Sequence, residues 1–291
     1  MEPREFGEWI ETIGGHYGEP VLLRAREEYQ TLTGQIFQDD KSYESRMGLF
    51  FEWFTVDRKL PESGKTPLEE FLDDPQNTQD GANPGFAEIM TQTLHGIYQV
   101  TQAKPGGLRV REMFGDKEYR VMDPEGGMYF NRHDVFEGRL IRLQDSGFLS
   151  ANFLYHPPQA VKFIKSKVKA IQAQEKEAEK EFRKMEKEQA VIQKKQAVHE
   201  KELARLVAKI EKTKKPEKRE TLEQEKRDLE EEGRVLARGK YETAQRVANY
   251  KSMQLGQLLH EKRFELIQKL SYMSLKWERS RQIALTDIYK D

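Results

Sequence analysis

The sequence predicts an α+β protein: a head of helices and a small antiparallel β-sheet or barrel, joined to a long antiparallel coiled-coil hairpin. Three observations lead there. Before about residue 95, apolar residues recur at helical spacing. From Gly96 they alternate with polar residues in short runs between turn signals. From Gln159 to Lys215 there is neither glycine nor proline, and Pro216 then interrupts a run of lysines.

The front of the chain reads as helices joined by Gly/Pro-containing loops. Leu22, Ala25, Tyr29, Leu32 and Ile36 place a helix over 21–37, since every third or fourth residue shares a face. The stretch 42–56 holds Phe50, Phe51, Trp53 and Phe54, more apolar width than a surface helix needs, and so predicts the central helix of the head. In "SGKTPLEEFL" (63–72), Thr66, Pro67 and Glu69 form a capping box that satisfies free N–H groups at a helix start. Residues 73–85 read as an exposed loop and 86–94 as a short helix.

Between Gly96 and His156 the period drops to two. Val100, Leu108, Val110, Tyr119, Val121, Met128, Phe130, Leu140, Ile141, Leu143 and Phe148 lie in runs separated by "KPGG", "GDK", "DPEGG", "FEG" and "DSG". That rhythm predicts five or six short antiparallel strands. Residues 1–157 thus form one head, helical over 1–95 and β-rich over 96–157.

Residues 158–273 predict the hairpin. With Val161 as the first core position, a seven-residue repeat defines sixteen positions to 213, of which eleven are apolar. A 3.5-residue period sustained this long marks a coiled coil. If the chain folds back near Pro216, facing residues sum to about 432: Ile210 with Leu222, Leu203 with Leu229, Met185 with Val247, Phe182 with Tyr250, Val168 with Phe264, and His199 against Gly233. A proline inside one continuous helix would cost about 3 kcal/mol. Each arm projects about 80 Å at 1.5 Å per residue. Glu232, Lys240, Thr243 and Arg246 interrupt the stripe, so 232–246 is expected to be loose or bent. Residues 274–291 form a C-terminal helix. Leu275, Trp277, Ile283, Leu285 and Ile288 lie beyond the reach of the first long helix and are expected to dock on the head or on another chain.

The net charge of −1 conceals an asymmetry. Residues 1–157 hold 27 acids and 16 bases, the remainder 23 acids and 33 bases, so an acidic front (−11) is joined to a basic back (+10). Such a pattern bears on partners and on attraction between the two parts. There are no cysteines, which excludes disulfides, thiolate metal sites and a cysteine nucleophile. The N-terminus lacks the charged-then-apolar order of a signal peptide, and no apolar run approaches the roughly 20 residues that span a bilayer, so a cytoplasmic protein is expected.

No nucleotide-binding loop is present, and the glycines of "PGG" (105–107) and "EGGM" (125–128) read as turns. The six histidines (His16, His95, His133, His156, His199, His260) have no metal-ligand spacing. Asn131, Arg132, His133 and Asp134 read first as a hairpin turn and second as a polar site. Asp39-Asp40 and Asp73-Asp74 read as solvated loop residues. No metal or other cofactor is expected. The remaining candidate is the hairpin tip, where Lys209, Lys212, Lys214, Lys215, Lys218 and Arg219 face Glu211, Glu217 and Glu220 for a net +3. No aromatic is interleaved, which argues against base stacking there.

The stretches "FFEWFTVDRKLPESGKTPLEEFL" (50–72) and "GIYQVTQAKPGGLRVREMFGDKEYRVMDPEGG" (96–127) carry an F-x-x-W-F-x-x-D-R helix, a G-x-T-x-L-E-x-F/Y-L turn and a strand pair around PGGLRVR (105–111). Over roughly 42–155 the chain resembles a bacterial region that in some proteins accompanies a SEC-C metal-chelating motif. The resemblance implies a bacterial origin and a compact helical-plus-β domain, without an assigned activity. The absence of cysteine means that no SEC-C metal site carries over.

The leading expectation is a non-enzymatic interaction or scaffold protein that contacts a macromolecular partner, a protein first, through its coiled-coil arm. A nucleic-acid- or ribosome-associated factor binding through the basic arm is the second reading. An enzyme with an unrecognised site in the β-rich region is the third.

Overall fold

The computed structural model describes residues 3–74, 77, 89–104, 107–122, 129–143, 146–251, 256–280 and 282–290. The chain divides into two compact units, residues 1–171 with 262–291, and residues 172–261.

In the first unit, α1 (Pro3–Gly15), α2 (Glu19–Thr33), α3 (Tyr43–Val56) and α4 (Pro67–Asp73) precede the strands. Phe6, Ile10 and Ile13 give α1 one buried face. Helix α2 stops at Thr33, short of the expected residue 37, because Gly34 takes φ +88° and its N–H bonds back to Gln30 O. Ile36 is still buried, so it carries the helical spacing into the core from outside the helix. Helix α4 has the capping box: the Glu69 N–H donates to Thr66 Oγ1 (3.1 Å) and the Thr66 N–H to Glu69 Oε2 (2.7 Å). Most of the expected loop 73–85 lies outside the described residues, as do 86–88 of the short helix. Residues 89–91 are helical.

Five strands follow: β1 (Thr93–Lys104), β2 (Gly107–Glu112), β3 (Glu118–Val121), β4 (Val135–Leu143) and β5 (Ser146–His156). Their pairing order, β1-β2-β3-β5-β4, returns to β1. The sheet is mixed rather than wholly antiparallel. Strand β5 pairs antiparallel with β4 and meets β3 in parallel, at Arg120–Ser146 and Val121–Gly147. Alternate residues face inward, where Tyr98, Val100, Leu108, Val110, Tyr119, Val121, Phe130, Phe136, Leu140 and Leu149 form one cluster. Ile141 and Phe148 instead join α1 and α4 in a separate cluster outside the sheet.

A short 3₁₀ turn (Pro158–Ala160) leads into α5 (Val161–Lys212); α6 (Pro216–Asn249), α7 (Gly256–Arg279) and α8 (Leu285–Ile288) follow. The first unit takes in α5 as far as Ile171 and the chain from Lys262 onward. There Ile164 and Val168 cluster with Leu266, Ile267, Leu270, Met273, Ile288 and Tyr289. Ile288 thus does pack with the start of the long helix, and Leu285 packs against the same cluster. Phe264, expected opposite Val168, stacks on Trp53 of α3 instead (ring centroids 6.5 Å, 12°).

In the second unit the seven-residue repeat is visible directly. All sixteen repeat positions of α5 are buried or half-buried. From 172 to 213 only Gln172 and Val207 join them from outside the repeat. On α6, Leu222, Leu229, Leu236, Thr243 and Tyr250 recur every seven residues, all at least half-buried. The expected break over 232–246 reduces to Lys240, which is exposed; Glu232 and Arg246 lie off the stripe, and the helix is continuous. Contacts join the two helices in antiparallel order. The Phe182 and Tyr250 rings stack at 6.2 Å, Arg246 pairs with Glu188 at 2.7 Å, and His199 Nε2 lies 2.8 Å from Leu229 O. A carbonyl only accepts, so that nitrogen carries the proton.

The His199 ring lies over Gly233, where a Cβ would come within 2.7 Å of it, whereas a Cβ on Gly239 would meet nothing within 4 Å. Glycine in a helix interior costs about 1 kcal/mol relative to alanine, so the two positions respond oppositely. Gly239→Ala is expected to stabilise by about 0.5–1 kcal/mol. Gly233→Ala is expected to destabilise by about 1–2 kcal/mol, because overpacking outweighs that gain. Denaturant unfolding followed by helical circular dichroism reads both signs.

Candidate functional site

The lysines singled out in the sequence surround the turn between the two long helices. Helix α5 ends at Lys212, Thr213–Lys215 form the turn, and Pro216 takes the first position of α6, where its missing N–H costs nothing. Lys209, Lys212, Lys214, Lys215, Lys218 and Arg219 are all exposed. Arg219 pairs with Glu223 (3.2 Å), whereas among the described residues Lys212, Lys214, Lys215 and Lys218 form no ion pair. Ile210 and Leu222, buried beneath them, close the end of the apolar stripe. The cluster is therefore cationic and solvated. A groove of about 330 Å³ beside it is lined by Val207, Ile210, Glu211, Arg219, Glu223 and Lys226 among others.

Asn131–Asp134 form a turn. The Asn131 N–H donates to Asp134 Oδ2 (2.7 Å), the Asp134 N–H to Asn131 O (3.1 Å), and His133 adopts φ +79°. Those bonds agree with the hairpin-turn reading of this stretch.

The largest assembly of ionisable groups was not read from the sequence. On the outward face of β4, where alternation predicts contact with water, Glu137 and Arg139 are each 1% exposed because helices cover that face. Arg139 reaches α3, with Nε 3.3 Å from Glu52 Oε2 and a close pair to Asp57, and donates to Thr93 Oγ1 at 3.1 Å. Burial pulls its guanidinium down, but Asp57 and Glu52 outweigh burial and hold its pKa above the ordinary arginine value. The opposite happens at Glu52, where burial outweighs Arg139 and pushes the carboxyl up. The other oxygen of Glu52 accepts from Asn152 of β5 (2.8 Å). That amide lies directly over Gly48, where any Cβ would fall inside it.

One step along the sheet, Glu137 Oε1 lies 3.1 Å from His95 Nε2, while Glu137 Oε2 and His95 Nδ1 are buried without a hydrogen-bond partner. Arg46, on the buried side of α3, donates to Ser42 Oγ (2.7 Å) and to Ser271 O of α7 (3.2 Å). Burial lowers its pKa, against the pull of Glu137 and Glu278. Beyond these, His156 Nδ1 meets the Tyr289 hydroxyl at 3.2 Å, and burial depresses the His156 pKa to about 4.

The end of α7 fastens the α2–α3 loop. Glu278 accepts from the Ser42 N–H (3.0 Å) and hydroxyl (2.5 Å), and Arg279 grips Asp40 with two bonds, 2.7 and 2.5 Å. Asp40, expected to be solvated, has a side chain only 5% exposed, and Arg279 holds its pKa below the usual carboxylate range. Asp73 does stay exposed, paired with Lys65 at 2.7 Å. A cleft of about 650 Å³ opens beside Ser42, Ser45, Tyr155, Ser274, Trp277 and Glu278. Among the described residues no cluster of three or more His, Asp or Glu is placed to hold a metal ion. No helix there is long and apolar enough to cross a membrane.

Fold and site define a class: an α+β protein with a five-stranded mixed sheet, a polar layer buried under its helices, and a pair of long helices ending in exposed lysines. Residues 21–198 match a family of unknown function (DUF7986), more than half of the 291 residues, and the chain belongs to that family. The matched segment runs from α2 through the strands and well into α5, and ends before the lysine turn. Neither the curated proteins nor the solved structures contain a match.

Two outcomes test the polar layer. Arg139→Met strands two carboxylates and is expected to cost about 3–5 kcal/mol, part of it recovered in Arg139→Met with Glu52→Met, as read by chemical denaturation. Depression of the His156 pKa means that the unfolded chain binds that proton first on acidification. Stability from this group is complete above about pH 6.5 and lost between there and about pH 4, roughly 3 kcal/mol at about 1.4 kcal/mol per pH unit. His156→Gln is expected to flatten that limb of the stability curve.

Proposed function

We propose that the protein is a non-enzymatic, cytoplasmic interaction or scaffold protein. In this reading α5 and α6 form an antiparallel coiled-coil arm that contacts a macromolecular partner, a protein in the first instance. The small closed sheet of the head acts as a barrel-like anchor for the surrounding helices. The observation that carries the reading is the state of the lysines at the turn. Lys212, Lys214, Lys215 and Lys218 are exposed and form no ion pair among the described residues. Exposed intrahelical ion pairs contribute only about 0.3–0.5 kcal/mol each, so folding places little demand on these lysines and a partner can use them. The bacterial setting implied by the resemblance over 42–155 belongs to the same reading.

Charge supports a division of labour. The segments 158–171 and 262–291 hold 11 bases and 4 acids, and they bring +7 to the acidic front with which they form one unit. Residues 172–261 hold 22 bases and 19 acids and keep only +3, the excess borne by the turn over 209–220. Most of the basic back therefore neutralises the head, and the lysine turn is what remains for an outside contact.

The test is quantitative affinity capture from the native host with the full chain, comparing wild type with the Lys212, Lys214, Lys215 and Lys218→Glu variant. Specific loss of a stoichiometric protein partner at unchanged helicity is the expected outcome. An identical partner profile for both proteins overturns the role of the lysines. If the lost partner is RNA or DNA, with affinity falling steeply as salt rises, the contact is to phosphate instead.

A further inference from the structure

The outward side of α5 carries a second seven-residue pattern, separate from the buried one. Residues 187–193, 194–200 and 201–207 read KEQAVIQ, KKQAVHE and KELARLV. Steps of four and three along a helix stay on one face, so Lys187, Val191, Lys194, Val198, Lys201 and Arg205 form a single line. All six are exposed, and Val191 and Val198 are 52% and 56% accessible. Continued in both directions from Lys180 to Lys212, the same line contains no acid.

Some cations elsewhere on these helices are matched within the helix, while others, among them Lys176, Lys195, Arg234 and Lys240, have no ion pair among the described residues. Lys180 pairs with Glu177 and Arg183 with Glu179 on α5, and Arg219, Lys226 and Arg238 pair with acids four residues on in α6. Lys187, Lys194, Lys201 and Arg205 form no such pair among the described residues. The neighbours of Lys194 and Lys201 at three and four residues are Ala190, Val191, Ala197, Val198, Ala204 and Arg205, none of them acidic.

Scattered exposed apolar residues are ordinary. Two valines a heptad apart, alternating with unpaired cations on a helix that already buries a full stripe against α6, form a second line of recognition. A second copy of this chain is a poor occupant. A symmetric contact would set the line against itself, cation to cation. The outer face of α6 (Arg227, Asp228, Glu231, Arg234, Val235, Arg238) is mixed in sign.

We infer that the outer face of α5 between Lys187 and Arg205 docks an amphipathic helix of another protein, with apolar residues over Val191 and Val198 and aspartate or glutamate opposite the lysines. This deepens the proposed interaction role, resting on it, and adds a second contact along the side of α5 to the one at the turn.

The experiment uses the full chain and a labelled synthetic helix with a leucine/alanine seam flanked by glutamates, followed by fluorescence anisotropy. Saturable binding is expected. It should weaken about tenfold or more in Val191→Ser with Val198→Ser, which leaves every charge in place, and likewise in Lys187, Lys194 and Lys201→Gln. All five positions are exposed, so helicity and Tm are expected to stay at wild-type values, and circular dichroism verifies this. The turn variant of the preceding section is expected to bind the helix as wild type does. No saturable binding by the wild type overturns the inference, as does a valine variant that binds unchanged. If the lysine variant alone loses binding and duplex RNA competes, the line reads phosphate. Loss confined to the turn variant refutes this inference while upholding the role of the turn.

Discussion

The head depends on how Arg139 is neutralised. A guanidinium with almost no exposure is tolerable only with carboxylates placed against it, since an unpaired buried charge costs several kcal/mol. Glu52 lies on α3 and Asp57 caps its C-terminal end, so the ion network fixes where that helix crosses the outer face of the sheet. An apolar trio of the same volume could hold the layers together equally well. The network adds specificity of position. A helix slid by one turn would set Gly48 and Leu49, or Thr55 and Val56, against Arg139 in place of Glu52. The bond from Asn152 to Glu52, admitted only because residue 48 is glycine, ties β5 to the same point.

Helix α3 thereby becomes the element shared by every layer. Its aromatic residues Phe50, Trp53 and Phe54 pack on α2, and its acids hold the sheet. Arg46, two turns before Trp53, reaches Ser271 of α7, and the α2–α3 loop is held by Glu278 and Arg279 at the end of that helix. The chain from Lys262 onward is thus part of the head by chemistry as well as by packing. Segments more than two hundred residues apart in sequence meet through buried polar groups whose partners are specified individually.

How much of this was legible in the sequence depended on whether the signal was periodic. From residue 173 to Thr213 the repeat identified every buried or half-buried position except Val207, including the polar Glu175, Gln189, Gln196 and His199, because a helix pair fixes which residues face inward regardless of type. The pairing of His199 with Gly233 followed from the fold-back symmetry about Pro216. The polar layer was not legible, because alternation in β4 assigns Glu137 and Arg139 to the polar face of a sheet and nothing local reports that helices cover that face. One clue was available: Glu52 stands between Phe51 and Trp53 in a helix too aromatic to lie at the surface. Phe264 misled for the reverse reason. The symmetry line was extended into a region where tertiary contacts with Trp53, rather than helix pairing, decide the geometry.

The distribution of satisfied and unsatisfied charge separates what folds the protein from what remains available to other molecules. In the head, Arg46, Arg139 and Arg279 are each committed to specific acceptors, and replacing any of them would leave a carboxylate or a carbonyl without its partner. On α5 the lysines from Lys187 to Lys201 and those at the turn have no partner to lose. Their contribution to stability is small at any salt concentration. Lysine and alanine are among the better helix formers, so their recurrence on the outer line also serves folding. The residues of that line whose exposure folding does not require are Val191 and Val198, 52% and 56% accessible, and both lie within the family match, which extends to residue 198.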